Sequence, residues 1–435
     1  MPLTMFTAWL FGNLTGTSEF ALRAGNFLFG AIALWMMYLI GKRHRLPFLP
    51  LLLAIQPFFW FYMDEARPYL AQVAAGSLLT WLVAAVAENQ RFQKNWLLYF
   101  SLIALAVFTT SMLTAVTIGF AFFACLYLAG VPRLNMRPQP ILLLLSTWAL
   151  SVGLSVYYIW TIIKGAEGSR IWPVDLKSLG YVMYELTGAV GLGPSLDTIR
   201  ELAKSGALAS AISQFAWPIG LSVLLFAVIC LGFAACSKAR DRNSRLLIVM
   251  LGVFVAVAGT MALLSFLIHK PLWARHLSSV FPFLVVGLGM LIQQAWQHGK
   301  ISKIIVLCFL AATALSSLNI RFSEKFDKDD YRRAAGIARQ NATDGKLVWW
   351  SAAEYPGRYY GLDIERGKMP DQAKIIVPHY FSQEELTKVG RPDVIITSRP
   401  EVYDPSGAVR SFIGTHGFKK STSLPGFQVF ELQTQ

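Results

Sequence analysis

The segment Phe61-Tyr62-Met63-Asp64-Glu65-Ala66-Arg67-Pro68-Tyr69 brings two carboxylates, a guanidinium and two phenols together at the end of an apolar run. Ionisable groups beside membrane-length apolar stretches are costly to place, so a functional site is the first hypothesis for them. Asp64 and Glu65 offer oxygens that can hold a divalent metal or take a proton from an acceptor hydroxyl. Arg67 offers a planar fork suited to phosphate. A simpler reading stays open. Either carboxylate can cap the helix that Pro68 starts, helped by the helix dipole, with Arg67 as its counter-ion. A second cluster, His269-Lys270-Pro271-Leu272-Trp273-Ala274-Arg275-His276, lies between two strong apolar runs. There Lys270 and Arg275 either snorkel to lipid headgroups or form a cation pair that grips a phosphate.

The elements around these clusters are set by hydropathy. The 435 residues are 55% hydrophobic and only 15% charged, with a mean hydropathy of +0.48. A soluble domain carries roughly 25% charged residues. About 20 apolar residues in a helix cross a hydrocarbon core of about 30 Å. Windows of that size fall at 20–40, 46–62, 68–87, 96–110, 112–130, 141–163, 215–235, 246–268, 277–296 and 304–320, with 96–130 divided at Thr109-Thr110-Ser111. The expectation is an all-α membrane bundle of about ten spans. The net charge of +14 would suggest nucleic acid in a soluble protein. Here no basic face exists apart from short loops, which excludes that partner. Thirteen Lys and Arg fall in the loops near 42–45, 91–94, 133–137, 238–245 and 300–303, against Arg67, Lys270 and Arg275 in the alternating short loops. The positive-inside rule therefore puts the first set in the cytoplasm and both polar clusters outside. Residues 1–19, the loop 164–214 and the tail also fall outside, the first of these with no helix before them.

In the loop 164–214, Leu176, Leu179, Val182, Met183 and Leu186 recur at helical spacing. They suit an amphipathic helix lying at the headgroups, with Trp172 and Tyr181 as anchors, or a roof over a cavity. The tail changes texture. Residues 347–350, 373–377, 393–397 and 427–432 read as short buried strands, and 328–340 and 384–388 as helices. The domains are thus a membrane bundle, 1–320, and a small α/β domain, 321–435. That domain has His379 and His416 but neither a nucleophile motif nor a Gly-rich phosphate loop, which suits a structural or acceptor-guiding module. The four cysteines all lie in or beside apolar runs, without metal-ligand spacing.

Several segments in order resemble the polyprenyl-phosphate-sugar-dependent glycosyltransferases of the GT-C fold. These are the relatives of protein O-mannosyltransferases, lipid A aminoarabinose transferase and the Rhizobium-type lipopolysaccharide transferases. The segments are Ser18 to Arg23, Gly41-Lys42-Arg43, Pro57 to Tyr62 and, most specifically, Glu65-Ala66-Arg67-Pro68-Tyr69. Arg275-His276 with Pro282 resembles a late motif of that family more weakly, His standing for the usual Tyr. The resemblance runs over most of residues 1–296. It implies transfer of one sugar from a polyprenyl-phosphate donor to an acceptor hydroxyl on a cell-envelope lipid, polysaccharide or protein. The reaction would sit at the outer face of the cytoplasmic membrane, with the C-terminal domain periplasmic. Asp64 and Glu65 would be catalytic. Arg67, Tyr69, Lys270, Arg275 and His276 would meet the lipid phosphate, and Glu65 a divalent metal such as Mg or Mn. No nucleotide or organic cofactor is implied.

The family's first helix and first acidic loop have no counterpart here, and Met1-Pro2-Leu3 resembles the tail of that loop. A non-catalytic or degenerate scaffold of the same fold is therefore the alternative. A transporter is a third reading. It predicts inverted repeats and charges at mid-span, whereas these ionisable residues gather at one boundary.

Overall fold

Apolar runs of helical length become helices in the computed structural model. It describes residues 2–16, 18–63, 65, 67–88, 90–130, 138–165, 176–195, 198–199, 202, 212–236, 242–268, 272–364, 373–381, 386 and 389–432. The chain forms two compact units, Met1–Ser323 and Glu324–Gln435.

In the first unit, α1 (Pro2–Thr15) packs beside α2 (Glu19–His44). The hydropathy windows give no element for α1. The Ser18 side chain caps α2 by accepting the Ala21 N–H at 3.2 Å. The window 46–62 is not one span but two helices, α3 (Leu49–Ala54) and α4 (Pro57–Met63). Pro57 has no N–H for the helical ladder and disfavours helix in the residue before it, so the chain breaks at Ile55-Gln56. α5 (Tyr69–Glu88) follows Pro68, and Gln72 donates its N–H to the Pro68 carbonyl at 2.9 Å. α6 (Gln90–Phe108) and α7 (Thr114–Ala129) are parted at 109–113, close to the threonine-serine break expected from sequence. There the Thr110 and Thr114 hydroxyls donate to the carbonyls of Val107 and Ser111, at 2.7 and 2.6 Å.

Then come α8 (Pro138–Gly165), α9 (Leu176–Leu186), α10 (Ala216–Cys236), α11 (Arg242–Leu267), α12 (Phe281–Gln297) and α13 (Lys300–Phe322). Among the described residues, six stretches are long and apolar enough to cross a membrane, lying in α2, α5, α8, α10, α11 and α13, while α6 and α7 are apolar but shorter. Of the ten windows read from sequence, these eight helices and α12 account for all but 46–62, which is divided. α12 is 17 residues long and nearly enclosed by protein, with Phe281, Phe283, Val285 and Val286 buried. α8 and α10 instead present Trp148, Leu150, Trp217 and Phe226 outward. A continuous apolar exterior of this kind belongs in lipid. The chain is a membrane protein, and the expected fold class, a polytopic helical bundle with a small C-terminal α/β unit, is the one observed.

In the second unit, α14 (Tyr331–Thr343), β1 (Val348–Ser351), α15 (Glu354–Tyr359), β2 (Ile375–Ile376), β3 (Val394–Thr397), α16 (Pro400–Tyr403), α17 (Ala408–Thr415), β4 (Phe418–Leu424) and β5 (Phe427–Leu432) follow in order. The sheet order is β2-β1-β3-β5-β4. β1 pairs in parallel with β2 and β3, and β5 runs antiparallel to β3 and β4. Side-chain alternation along β1 sends Trp350 into one core, with Ala334 and Ala338 of α14, and Trp349 into another, with Val409 and Phe418. β4 has no apolar alternation. Its residues between Phe418 and Leu424 are exposed, with Lys419 and Lys420 on the sheet edge. The helix expected at 384–388 lies largely outside the described residues.

Candidate functional site

The link from α4 to α5 is held by Asn26, buried in α2. Its Nδ2 donates to the Glu65 carbonyl and, at 3.5 Å, to the Tyr62 carbonyl. The Glu65 N–H returns to the Tyr62 carbonyl at 3.3 Å, and the Arg67 N–H to the Glu65 carbonyl at 2.7 Å. This tight turn leaves the Glu65 side chain 15% exposed, with the Arg67 Nε 3.8 Å from its Oε2. Arg67 is itself more than half exposed, so that pair is weak by screening. The rings of Tyr62 and Tyr69 meet edge-on at 4.9 Å.

Arg275 arrives from the other end of the sequence. Its guanidinium carbon lies 5.8 Å from the centre of the Tyr69 ring and 5.3 Å from that of Trp273. Glu65, Arg275 and Tyr69 all lie within electrostatic reach of the Tyr62 hydroxyl. Glu65, Tyr69 and Arg275, from the two clusters, thus meet at one end of the bundle. At the far ends of α2 and α5, Glu88 pairs with Arg43 at 2.7 Å and His44 at 2.9 Å. The rise of α2 from Asn26 to His44 separates the two polar ends by about 27 Å. Asp64 and Lys270 lie outside the described residues.

Three features place Arg275. It sits in the single turn Ala274–Leu277, whose end residues are buried. The Ser278 hydroxyl donates to the Arg275 carbonyl at 2.7 Å, and the Ser279 hydroxyl bonds to that of Thr117 at 2.7 Å. Gly76 of α5 lies directly against the Ser279 backbone, and a Cβ there would collide with the Ser279 carbonyl. His276, which the resemblance sets against the lipid phosphate, makes a contact within its own turn. Its Nδ1 accepts the Trp273 N–H at 3.3 Å. Burial first, and the neighbouring Arg275 charge second, lower it to about 4. His276 is therefore neutral near pH 7 and serves as a cap for the turn that carries Arg275.

Arg275 Nε is buried and has no partner among the described residues, as is Gln72 Oε1 one turn into α5 from Tyr69. Buried polar atoms are normally satisfied, and unpaired ones commonly mark where water or a ligand belongs. Among the described residues no three His, Cys, Asp or Glu side chains come together as metal ligands. Glu65 offers a single carboxylate, so any metal there would need substrate oxygens or residues outside the described set.

No family model matches the chain, and no curated protein is similar to it by sequence. Two solved structures are similar to it, both of ArnT from Cupriavidus metallidurans. One is in the apo state and the other is bound to undecaprenyl phosphate. Identity is 12% in each case, over 100% of this chain and 88% and 89% of those chains, with TM-scores of 0.49 and 0.48.

Two further residues belong to the site, and neither is prominent in the sequence. Asn26 sits alone in an apolar helix, where its role as an anchor depends on a turn about forty residues away. Glu185 stands in the last turn of α9 and, like Glu65, lies within electrostatic reach of the Tyr62 hydroxyl. Its signal is faint. It stands three residues after Val182 and next to Leu186, so a charge interrupts an apolar stripe. α9 does not lie free at the headgroups. Val182 and Leu186 are buried, and the helix packs on α4 and on the turn Ala274–Leu277. The α9 end is pinned where the Ser316 hydroxyl donates to the Gly188 carbonyl and Gly188 lies against Pro57.

Proposed function

We propose that this protein transfers a sugar from a polyprenyl-phosphate-linked donor to an acceptor hydroxyl at the outer face of the cytoplasmic membrane. The observation that carries the proposal is the seat of Arg275 over Tyr69, beside the turn that holds Glu65. Two segments about two hundred residues apart in sequence thereby supply a phosphate-type cation and a carboxylate at one membrane boundary. The ordered resemblance of residues 18–69 to GT-C transferases supports the same reading.

In this mechanism Arg275, assisted by Arg67, binds the lipid phosphate. The acceptor oxygen attacks the anomeric carbon, the bond from that carbon to the phosphate oxygen breaks, and the phosphate leaves with the electron pair. The proton of the acceptor hydroxyl passes to a carboxylate, Glu65 or Asp64. Arg275 offsets the charge that develops on the leaving phosphate. Its contact with two aromatic faces and its buried Nε fix its direction before substrate arrives. A divalent cation such as Mg or Mn, held by Glu65 and substrate phosphate, would supply further neutralisation of that phosphate. The acceptor belongs to the cell envelope, and the second unit, Glu324–Gln435, is assigned to the periplasm with the two polar clusters.

The test is release of free polyprenyl phosphate from a radiolabelled polyprenyl-phosphate sugar by proteoliposomes supplied with envelope extract. Glu65→Ala and Arg275→Ala should each lower the rate by about 10²-fold or more, and Arg275→Lys by less, since it keeps charge but loses the fork. Full rates in both alanine variants would remove the site from the reaction.

A further inference from the structure

The second unit carries a polar cluster for which the transfer chemistry has no use. β1 pairs in parallel with β2 on one side and β3 on the other, so successive connections leave in opposite directions. In open α/β sheets, ligands bind outside the carboxyl ends of the strands at such a reversal. Here that edge receives Ser351 from β1, His379 from the turn Pro378–Tyr380 after β2, and Ser398 and Arg399 after β3. Asp329 and Tyr331 come from the start of α14, Glu354 from the start of α15 and Tyr403 from the end of α16.

These side chains are held in linked pairs. Arg399 meets Asp329 at 2.8 Å and has a left-handed backbone, φ 44°, one of two such non-glycine residues among those described. Strained backbone of that kind gathers at ligand sites. Asp329 is pressed against Gly426, φ 73°, in the turn between β4 and β5, where a Cβ would overlap its carboxylate. Glu354 is buried, with Oε2 3.2 Å from Arg358 and Oε1 3.8 Å from His379 Nε2. The His379 ring stands 5.9 Å from that of Tyr403, whose carbonyl accepts the Ser351 hydroxyl at 3.2 Å. The Tyr331 hydroxyl faces the Ala353 backbone and lies within electrostatic reach of Tyr403, Asp329 and Arg399. Burial raises Tyr331 well above the ordinary phenol range, so it remains a neutral donor. Ser398 Oγ is buried and has no partner among the described residues.

The composition of the edge selects the ligand. Among the described residues, Arg399 pairs with Asp329, and Arg358 and His379 with Glu354, so this edge offers both signs of charge rather than the single-sign field that a phosphate or a metal ion selects. What remains is a set of adjacent donors and acceptors beside two phenol rings and an imidazole. Vicinal hydroxyls of a pyranose match paired donors and acceptors, and its C–H face matches an aromatic ring. We infer that the carboxyl edge of β1 and β3, lined by Asp329, Tyr331, Glu354, His379, Arg399 and Tyr403, binds an uncharged saccharide. This goes beyond sugar transfer in the membrane unit and does not rest on it.

The test uses the full chain in phospholipid nanodiscs, without maltoside or glucoside detergents, which would themselves compete. Mannotetraose, maltotetraose and chitotetraose are titrated by saturation-transfer-difference NMR, and inorganic phosphate by phosphorus line-broadening. At least one tetrasaccharide should bind with a dissociation constant near 1 mM, roughly the affinity of a few oriented hydrogen bonds. Tyr403→Ala and Arg399→Gln should each weaken it about tenfold. Arg275→Ala, in the membrane unit, should leave it unchanged. Where Tyr403→Ala lowers the unfolding midpoint, Tyr403→Phe and Arg399→Gln decide. No saccharide response up to about 10 mM, binding of phosphate alone, or loss in Arg275→Ala with retention in Arg399→Gln would each overturn the proposal.

Discussion

At the scale of single residues, the site depends on keeping positive charge on Arg275 and off His276. The imidazole accepts a backbone N–H only while neutral, and burial holds it so. Its value of about 4 lies below that of an unfolded histidine, near 6.5. As pH falls through that window, the unfolded chain takes up a proton that the folded chain refuses. Stability from this group is complete above about pH 6.5 and declines toward pH 4. The unfolding midpoint in detergent should therefore drop between those values. His276→Gln, which cannot titrate, should show a smaller drop over the same range. An identical pH profile in the two proteins would mean that the imidazole takes up its proton in the fold as readily as in the unfolded chain. Asn26 makes the complementary point, since a neutral amide fixes the Glu65 backbone without competing with its carboxylate.

Among elements, the decisive contact is α5 against the backbone that follows Arg275. Gly76 lets the Ser279 carbonyl come within the space of a side chain, and Ser279 is tied in turn to Thr117 of α7. Gly76→Ala must push the two backbones apart, at a cost of about 1–3 kcal/mol. Gly119, in α7, meets nothing within 4 Å of an added Cβ. Gly119→Ala should leave the midpoint unchanged or slightly raised, because alanine favours helix over glycine. Differential scanning fluorimetry of the two variants checks this pair. Equal midpoints would mean that α5 does not rest on the Ser279 backbone. The α4 break acts at the same scale. Pro57 ends one short helix and starts another, and Gly188 packs against its ring, so the chain beyond α9 is seated by the same proline.

For the whole molecule, the two ends of the bundle carry different chemistry, and orientation decides what each can meet. Alkaline phosphatase fused after Arg67 should be active in a bacterial host, and fused after Arg133 it should be inactive. The reverse pattern would put the Glu65–Arg275 end in the cytoplasm, away from a donor displayed on the outer leaflet.

Much of this was legible in the sequence. The bilayer demands long apolar helices whose backbone groups are satisfied internally, so hydropathy alone identifies the membrane unit and its loop charges. The helix break after Phe108 could be read from polar residues that relieve unpaired carbonyls. Strands β1, β2, β3 and β5 could be read from buried β-branched and aromatic runs. The Glu65–Tyr69 cluster was visible because charge beside a span is rare. Other features needed the tertiary structure. The break at Pro57 within an apolar window, the polar strand β4 paired through β5, and the inclusion of Glu185 depend on partners far away in the chain. So does the place of His276 as a neutral cap on the turn that carries Arg275. Burial and contact are properties of the assembled fold, and a residue's charge state and direction follow from them rather than from its neighbours in sequence.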